Sequence, residues 1–345
     1  MSLAYRPVSW NPFKRRYDLC LAGSVGAFLA IFAATELLRA PELTVETILI
    51  RALGAAALVL LHVVLCIGPL ARLDRRLLPL LYNRRHLGVT MFLLAAGHGV
   101  FGIVQFHAGG TLDPLVSLLS GVTRLGAPAA APFQVFGFAA LVILFLMAAT
   151  SHDFWLHNLT APVWKRLHMA VYAAYVLVVL HVMFGVLRQE AAPPLAWLLG
   201  AGAATVLGLH TAVARREAHR DRDRTRDARS DGFVDVCGVS EIPDRRAVTT
   251  CLAGERVAVF RYDGRISAIS SVCQHQNGPL GEGRIVRDGV VCPWHGYEYN
   301  PASGASPAPF TEKVPTFRVR VEHARVLVHP RPQPPGTFIE PAVAE

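Results

Sequence analysis

Six apolar runs, each about long enough to cross a bilayer, fill most of the first two-thirds of the chain. A membrane-spanning helix needs roughly 20 predominantly apolar residues. Runs of that kind lie at about 17–38, 46–70, 86–107, 133–151, 167–187 and 195–213. Pro, Gly or charged segments separate them. Backbone groups inside a bilayer find no water, so apolar runs of this length have to close their hydrogen bonds as helices. The expected fold of 17–213 is therefore an α-helical membrane bundle of six transmembrane helices. This region accounts for a composition of 52% hydrophobic and only 17% charged residues. A cleavable signal peptide is not expected, because the first run starts late, after Lys14-Arg15-Arg16, and lacks a cleavage site. No internal repeat is evident.

The net charge of +9 does not point to nucleic acid, because the positive residues sit in short loops between apolar runs. Arg6, Lys14, Arg15 and Arg16 precede the first run, within a 1–16 N-terminal segment. Arg72, Arg75, Arg76, Arg84 and Arg85 crowd the 71–85 loop, and Lys165-Arg166 closes the 152–166 loop. The opposite loops offer only Arg39, Arg124 and Arg188. The positive-inside rule then puts both termini on the cytoplasmic side of a bacterial inner membrane. The Gly/Ala/Pro-rich 108–132 loop reads as a surface turn on the outer face.

Beyond 213 the pattern changes. Residues 214–232 alternate in charge sign and read as a helical extension or a solvated tether. From 233 to 330 the period is two, with one hairpin around Asp263-Gly264 and another around Asp288-Gly289. This part is expected to be all-β. The 331–345 stretch is Pro-rich and is expected to be a loose tail. Of six cysteines, Cys20 and Cys66 fall inside apolar runs and Cys237 and Cys251 inside strand-like stretches. A Cys237–Cys251 disulfide is disfavoured in a cytoplasmic setting.

The remaining two cysteines carry the chemistry. Cys273-Gln-His275 and, after sixteen intervening residues, Cys292-Pro-Trp-His295 place one Cys and one His on each of two loops joined by a hairpin. A [2Fe–2S] cluster needs two ligands per iron, thiolates on one and imidazoles on the other. Gly278, Gly281, Gly283 and Gly296 let the backbone pass close to such a cluster. Zinc takes a Cys₂His₂ set too, but C-x-H with C-x-x-H inside a β-domain is not zinc-finger spacing. The region 233–330 resembles a ferredoxin-type Rieske domain. The bc-type relatives brace these loops with a disulfide, and the matching positions here are Gly278 and Trp294. Those relatives also place a Ser and a Tyr after the second His, where this chain has Tyr297 and Tyr299. One fewer hydroxyl donor implies a potential in the lower half of the Rieske range. A complete oxygenase is not expected, since no second domain with a mononuclear iron site follows.

Histidines inside the membrane runs are costly and functional by default. His86 and His98 lie on the third run, His168 and His181 on the fifth, and both runs point the same way. His86 and His168 fall at the cytoplasmic level, with His98 and His181 roughly 18–20 Å deeper. Two levels of paired histidines suggest bis-His haem b, although the spacings of 12 and 13 residues leave each pair on different helix faces. His62, His107, His152, His157 and His210 read as structural. Gly68-Pro69-Leu70, Arg84-Arg85-His86-Leu87-Gly88 through His98, and Lys165-Arg166-Leu167-His168 through His181 resemble a ferric reductase-like transmembrane domain. Within that superfamily they are similar to the haem-binding membrane subunit of the periplasmic methionine-sulfoxide reductase system. The resemblance implies haem ligands at His98, His168 and His181, whereas that family usually lacks a histidine at the His86 position. It implies one or two haems b and leaves room for FMN.

These readings combine into a membrane electron-transfer protein: six haem-bearing helices joined to a cytoplasmic Rieske domain. A cytoplasmic reductase or ferredoxin is the expected donor, and an outer-face redox partner or quinone the acceptor. With no G-x-G-x-x-G dinucleotide signature, the chain is not expected to oxidise NAD(P)H by itself. A quinone-linked oxidoreductase subunit and a redox sensor using the cluster state are the rival readings.

Overall fold

The computed structural model describes residues 12–344 apart from 78–79, 81–82, 121–132, 152–154, 156–158, 160, 190–192, 276, 294–295 and 309. It divides into two compact units that meet near residue 212.

The first unit is helical: α1 (Pro12–Arg39), α2 (Val45–Leu73), α3 (Arg84–Phe106), α4 (Pro114–Ser120), α5 (Phe133–Ala149), α6 (Ala161–Met169), α7 (Val171–Phe184) and α8 (Pro193–Arg220). Thr44 starts α2 by accepting the Thr47 N–H at 3.3 Å, with Glu46 in the first turn where the helix dipole favours it. Five helical stretches among the described residues are long and apolar enough to cross a membrane: Lys14–Arg39, Val45–Leu73, Arg84–Phe106, Val163–Arg188 and Pro193–Ala218. Phe133–Ala149 is apolar but has 17 residues, so among the described residues five of the six expected spans are full-length and the fourth is a shorter apolar helix. The fifth apolar run is not one uniform helix. The Ala170 N–H bonds Leu167 O rather than the carbonyl four back, a tight turn that separates α6 from α7.

Contrary to the sequence expectation, the helical unit contains a repeat. The pair α2–α3 recurs as α5–α7 with an offset of 83 residues. Ala57 and Ala140, Leu61 and Leu144, and Met91 and Ala174 are corresponding positions, and all six are buried. The relation is two-fold: a ring contact of His62 with Tyr175 across the halves recurs as a contact of Phe92 with Phe145. Side chains facing lipid are interchangeable as long as they are apolar, so the two halves can differ in sequence while their packing positions stay in register.

The second unit is all-β, as expected. Strands β1 (Val234–Gly238), β10 (Arg325–Val328) and β9 (Val319–Glu322) form one antiparallel sheet. Strands β11 (Ala342–Val343), β4 (Arg265–Ser270), β3 (Glu255–Tyr262) and β2 (Arg246–Leu252) form a second, with β8 (Thr316–Phe317) also on β4. Strands β5 (Arg284–Val286), β6 (Gly289–Val291) and β7 (Glu298–Tyr299) form a third. The β3–β4 hairpin turns at Asp263-Gly264, both at positive φ, as a right-twisted two-residue hairpin requires. The second hairpin turns one residue earlier than expected, at Arg287-Asp288, with Gly289 opening β6.

Two further expectations are corrected. The charged segment 214–232 is neither simply helical nor simply a tether. The helix runs on to Arg220, and then Arg224 grips the carbonyls of Val236 and Asp235 at 2.9 Å while Arg229 pairs with Glu322 at 3.1 Å. The Pro-rich tail is not loose. Gln333 N–H bonds Thr316 O, Ile339 N–H bonds Ala302 O, and β11 pairs with β4. Cys237 and Cys251 are buried thiols without a disulfide, and burial pushes the Cys237 thiol up to about 11. Phe317, fully buried in the core with Val257, Ile266 and Val328, is the largest apolar group on β8. Truncation to Ala is expected to cost about 3–5 kcal/mol, measured as a lower urea midpoint of the β-unit in the full chain.

Candidate redox sites

In the β-unit, two loops of the same design follow β4 of the second sheet and β6 of the third. The Cys273 N–H donates to Gly278 O at 2.9 Å, and the Cys292 N–H to Tyr297 O at 2.7 Å, each five residues on. The residue four on donates back to the cysteine carbonyl: Asn277 to Cys273 at 2.7 Å, Gly296 to Cys292 at 2.9 Å. Both returning residues sit at positive φ, 57° and 73°. Gly takes that conformation freely, and Asn is among the other residues that adopt it most readily. The loops thus present their cysteines in the same way. Gly283 lets the approach pass, since a Cβ there would lie 2.9 Å from Leu280 O and strike Val291 O.

The side chains converge. Cys273 and Cys292 are buried in one cluster with Tyr297 and Tyr299. The Tyr299 hydroxyl lies 3.4 Å from Cys273 Sγ and accepts the Gln274 N–H at 3.1 Å. Burial first, then the neighbouring Cys273, hold the Tyr299 phenol far above its usual range, so it stays protonated. Either group could donate in the contact with Cys273, but toward a thiolate ligand the hydroxyl would be the donor. His275 is 7% exposed and stacks on Tyr297 at 4.9 Å and 12°, with Phe310 behind Tyr297. This stack is not legible in the sequence. His295 and Trp294 lie outside the described residues. Two thiols on matched turns, an imidazole beside them and a hydroxyl donor at one sulfur fit a [2Fe–2S] cluster.

In the helical unit, His98 on α3 and His181 on α7 come ring to ring, 5.9 Å between centroids and 83° between planes. Each anchors Nδ1 on a backbone carbonyl of the neighbouring helix: His98 on Ile50 O at 2.9 Å, His181 on Phe133 O at 2.8 Å. One turn further along those helices, Gly54 and Gly137 make room for the rings. A Cβ would lie 2.8 Å from His98 Nδ1 and 2.7 Å from His181 Nδ1. All three positions obey the 83-residue offset. An imidazole held at Nδ1 keeps Nε2 for a metal, so this pair fits axial ligation of a haem.

The second expected pair, His86 with His168, is not brought together. His86 Nδ1 lies 2.7 Å from Asp18 Oδ1. His168 Nδ1 bonds Trp164 O at 3.0 Å, and its ring stacks on the Trp164 indole at 3.7 Å. Among the described residues no ring contact joins His86 to His168. Among the described residues, His168 Nε2 is buried without a well-formed hydrogen bond, with the Met147 carbonyl close to the ring. Of the histidines read as structural, His62 meets Tyr175 OH at 3.0 Å while its Nδ1 is buried without a partner among the described residues, His107 meets Ser117 Oγ at 2.8 Å, and His210 meets Val206 O at 2.8 Å. His152 and His157 lie outside the described residues.

Residues 53–179 match the ferric reductase like transmembrane component, and residues 232–318 match the Rieske [2Fe–2S] domain, to whose family the chain belongs. Among curated proteins it is similar to the ferredoxin component of the alkene monooxygenase system of Xanthobacter autotrophicus. That match is 30% identical over 103 residues, 30% of this chain and 84% of the relative. It is also similar to the ferredoxin component of the naphthalene 1,2-dioxygenase system of Pseudomonas aeruginosa, 26% identical over 28% of this chain and 93% of the relative. Among solved structures, a chain of the complex of reduced oxygenase and oxidized ferredoxin in carbazole 1,9a-dioxygenase matches at 26% identity. It covers 30% of this chain and 97% of that chain, with a TM-score of 0.28.

Tyr299→Phe removes one hydroxyl donor from the cysteine sulfur while keeping the ring. A hydrogen bond worth about 1 kcal/mol more in the reduced state corresponds to a drop of roughly 20–60 mV. That lower midpoint, with the rest of the spectrum kept, is the expected outcome of an EPR-monitored potentiometric titration.

Proposed function

We propose that this chain is an electron relay of the bacterial inner membrane, passing electrons from a cytoplasmic reductase or ferredoxin to an acceptor on the outer face. The observation that carries this reading is the orthogonal His98–His181 pair, built into the same chain as the matched Cys273 and Cys292 turns. In the β-unit, Cys273, His275, Cys292 and His295 are assigned as the four cluster ligands. In the helical unit, His98 and His181 are assigned as axial ligands of haem b, and His168 as a ligand at the cytoplasmic level. Bound there, the cluster and the haem would each accept and release one electron.

The protein's own groups do the rest. The carbonyls of Ile50 and Phe133 fix the ring orientation of the two deep histidines. Gly54 and Gly137 keep the space those rings occupy. Tyr299 places a protonated hydroxyl against Cys273, which favours the more negative, reduced state. The stack of His275 on Tyr297 and Phe310 holds a histidine ligand in one orientation. The ferredoxin relatives are components of oxygenase systems by name, and their likeness to the β-unit supports a carrier role. The positive loops support a cytoplasmic location for both termini and the β-unit.

The test is rapid mixing with the cluster reduced and the haem oxidised. Haem reduction is expected to follow cluster oxidation with a rate independent of protein concentration. A rate that scales with concentration, or no haem reduction, excludes an intramolecular relay.

A further inference from the structure

The repeat makes one contact comparable in both halves of the helical unit. His62 on α2 meets Tyr175 on α7 with ring centroids 5.5 Å apart, where the other half has Phe92 and Phe145 at 6.0 Å. Two apolar rings therefore satisfy this packing position. A polar pair inside a bilayer costs more than an apolar one, so packing does not account for His62 and Tyr175.

The His62 ring is 7% exposed and is held in place from several helices. The Tyr175 hydroxyl lies 3.0 Å from Nε2, and the Leu58 carbonyl, four residues back on α2, lies close to the ring. Both oxygens can accept an N–H. On α8, Gly202 leaves room, since a Cβ there would strike the ring; Gly54 and Gly137 do the same for His98 and His181. Tyr175 precedes His181 by six residues on α7, and His62 follows Gly54, which faces His98, by eight on α2. The pair thus lies roughly 9–12 Å along the helices from the deep histidines at 1.5 Å per residue. Among the described residues, the titratable and charged groups facing the pair are Cys66, one turn on along α2, and Tyr172 on α7, with His210 of α8 and Arg84 of α3 beside it. The core packed against Tyr175, with Leu61, Leu65, Met91, Leu144 and Val206, is apolar.

We propose that His62, with Tyr175 as its hydrogen-bond partner, takes up a proton on reduction of the haem at the His98–His181 pair and releases it on oxidation. The proposal rests on the reading that this pair holds haem, and it replaces the structural role expected for His62. One electron arrives at the deep site, one proton from water binds the neutral imidazole, and Nε2 turns from acceptor to donor toward the Tyr175 oxygen. Negative charge added about 10 Å away in a low-dielectric setting favours the imidazolium.

The experiment is potentiometric titration of the purified full chain, with haem read by visible spectra from about pH 5 to about pH 8, where imidazoles exchange protons. The wild-type midpoint is expected to fall as pH rises, with a slope of up to ~59 mV per pH unit, the tenfold-per-unit limit of one proton per electron. His62→Phe copies the other half of the repeat, and His62→Gln keeps a hydrogen-bonding group without a titrating one. Both are expected to flatten the slope and to lower the proton uptake that a pH-indicator dye registers on reduction. Tyr175→Phe keeps the imidazole and is expected to move the pH at which the slope is steepest without removing it. Haem content per chain reports that each variant has folded. A flat wild-type midpoint, or a slope kept in both His62 variants, overturns the proposal. A slope lost only in Tyr175→Phe overturns the assignment to His62. A chain with no haem at all overturns the parent reading, so the two failures are distinguishable.

Discussion

An imidazole inside a bilayer must place its N–H on an acceptor, because no water is there to take it. In this chain both deep histidines place it on the backbone of a neighbouring helix, His98 on Ile50 and His181 on Phe133. Much else in the helical unit depends on that choice. The carbonyls are available although they belong to helices, because a helical carbonyl has a second lone pair. The approach is close enough to exclude a side chain one turn away, hence Gly54 and Gly137. Fixing Nδ1 also settles the tautomer and leaves Nε2 for the other partner. Since the same arrangement occurs twice, the two rings meet where the halves meet.

The β-unit solves a related problem with backbone alone. A cluster site needs two thiols presented identically from two separate loops. The chain achieves it by closing both loops with the same pair of hydrogen bonds and the same left-handed residue. Side chains then differentiate the loops. Tyr299 serves the Cys273 side, and Tyr297 stacks on His275. The Pro-rich tail and the 221–232 segment close over the sheets instead of hanging free, so the β-unit includes residues on both sides of its expected boundaries.

Much of this was legible in the sequence because the signals are short-range. The Cys273-x-His275 and Cys292-x-x-His295 spacing sits within two loops, apolar run length marks the helices, and Asp263-Gly264 marks a hairpin. What escaped depends on long-range geometry. The repeat does leave short traces in the letters, Gly54–Leu61 against Gly137–Leu144 and His98–Gly102 against His181–Gly185, but they are brief patches inside uniformly apolar runs, where run length dominates the signal. The pairing of His86 with His168 was inferred from depth alone, and depth does not fix which face of a helix a residue occupies. Asp18, which takes His86, lies 68 residues away in sequence. The tail escaped because Pro-rich composition signals the absence of regular structure, not the absence of contacts, and its anchors are single backbone bonds from Gln333 and Ile339.

The central claim is that one chain carries both an iron–sulfur centre and membrane haem. The most direct measurement is EPR of the purified, mildly reduced protein, together with acid-labile sulfide, metal and haem analysis of the same sample. The account predicts a rhombic Rieske signal, about two acid-labile sulfides per chain, and low-spin haem b copurifying at constant ratio, with the Rieske signal alone lost in Cys273→Ser. Zinc in place of iron without sulfide, or a full cluster in a chain that binds no haem, would contradict it.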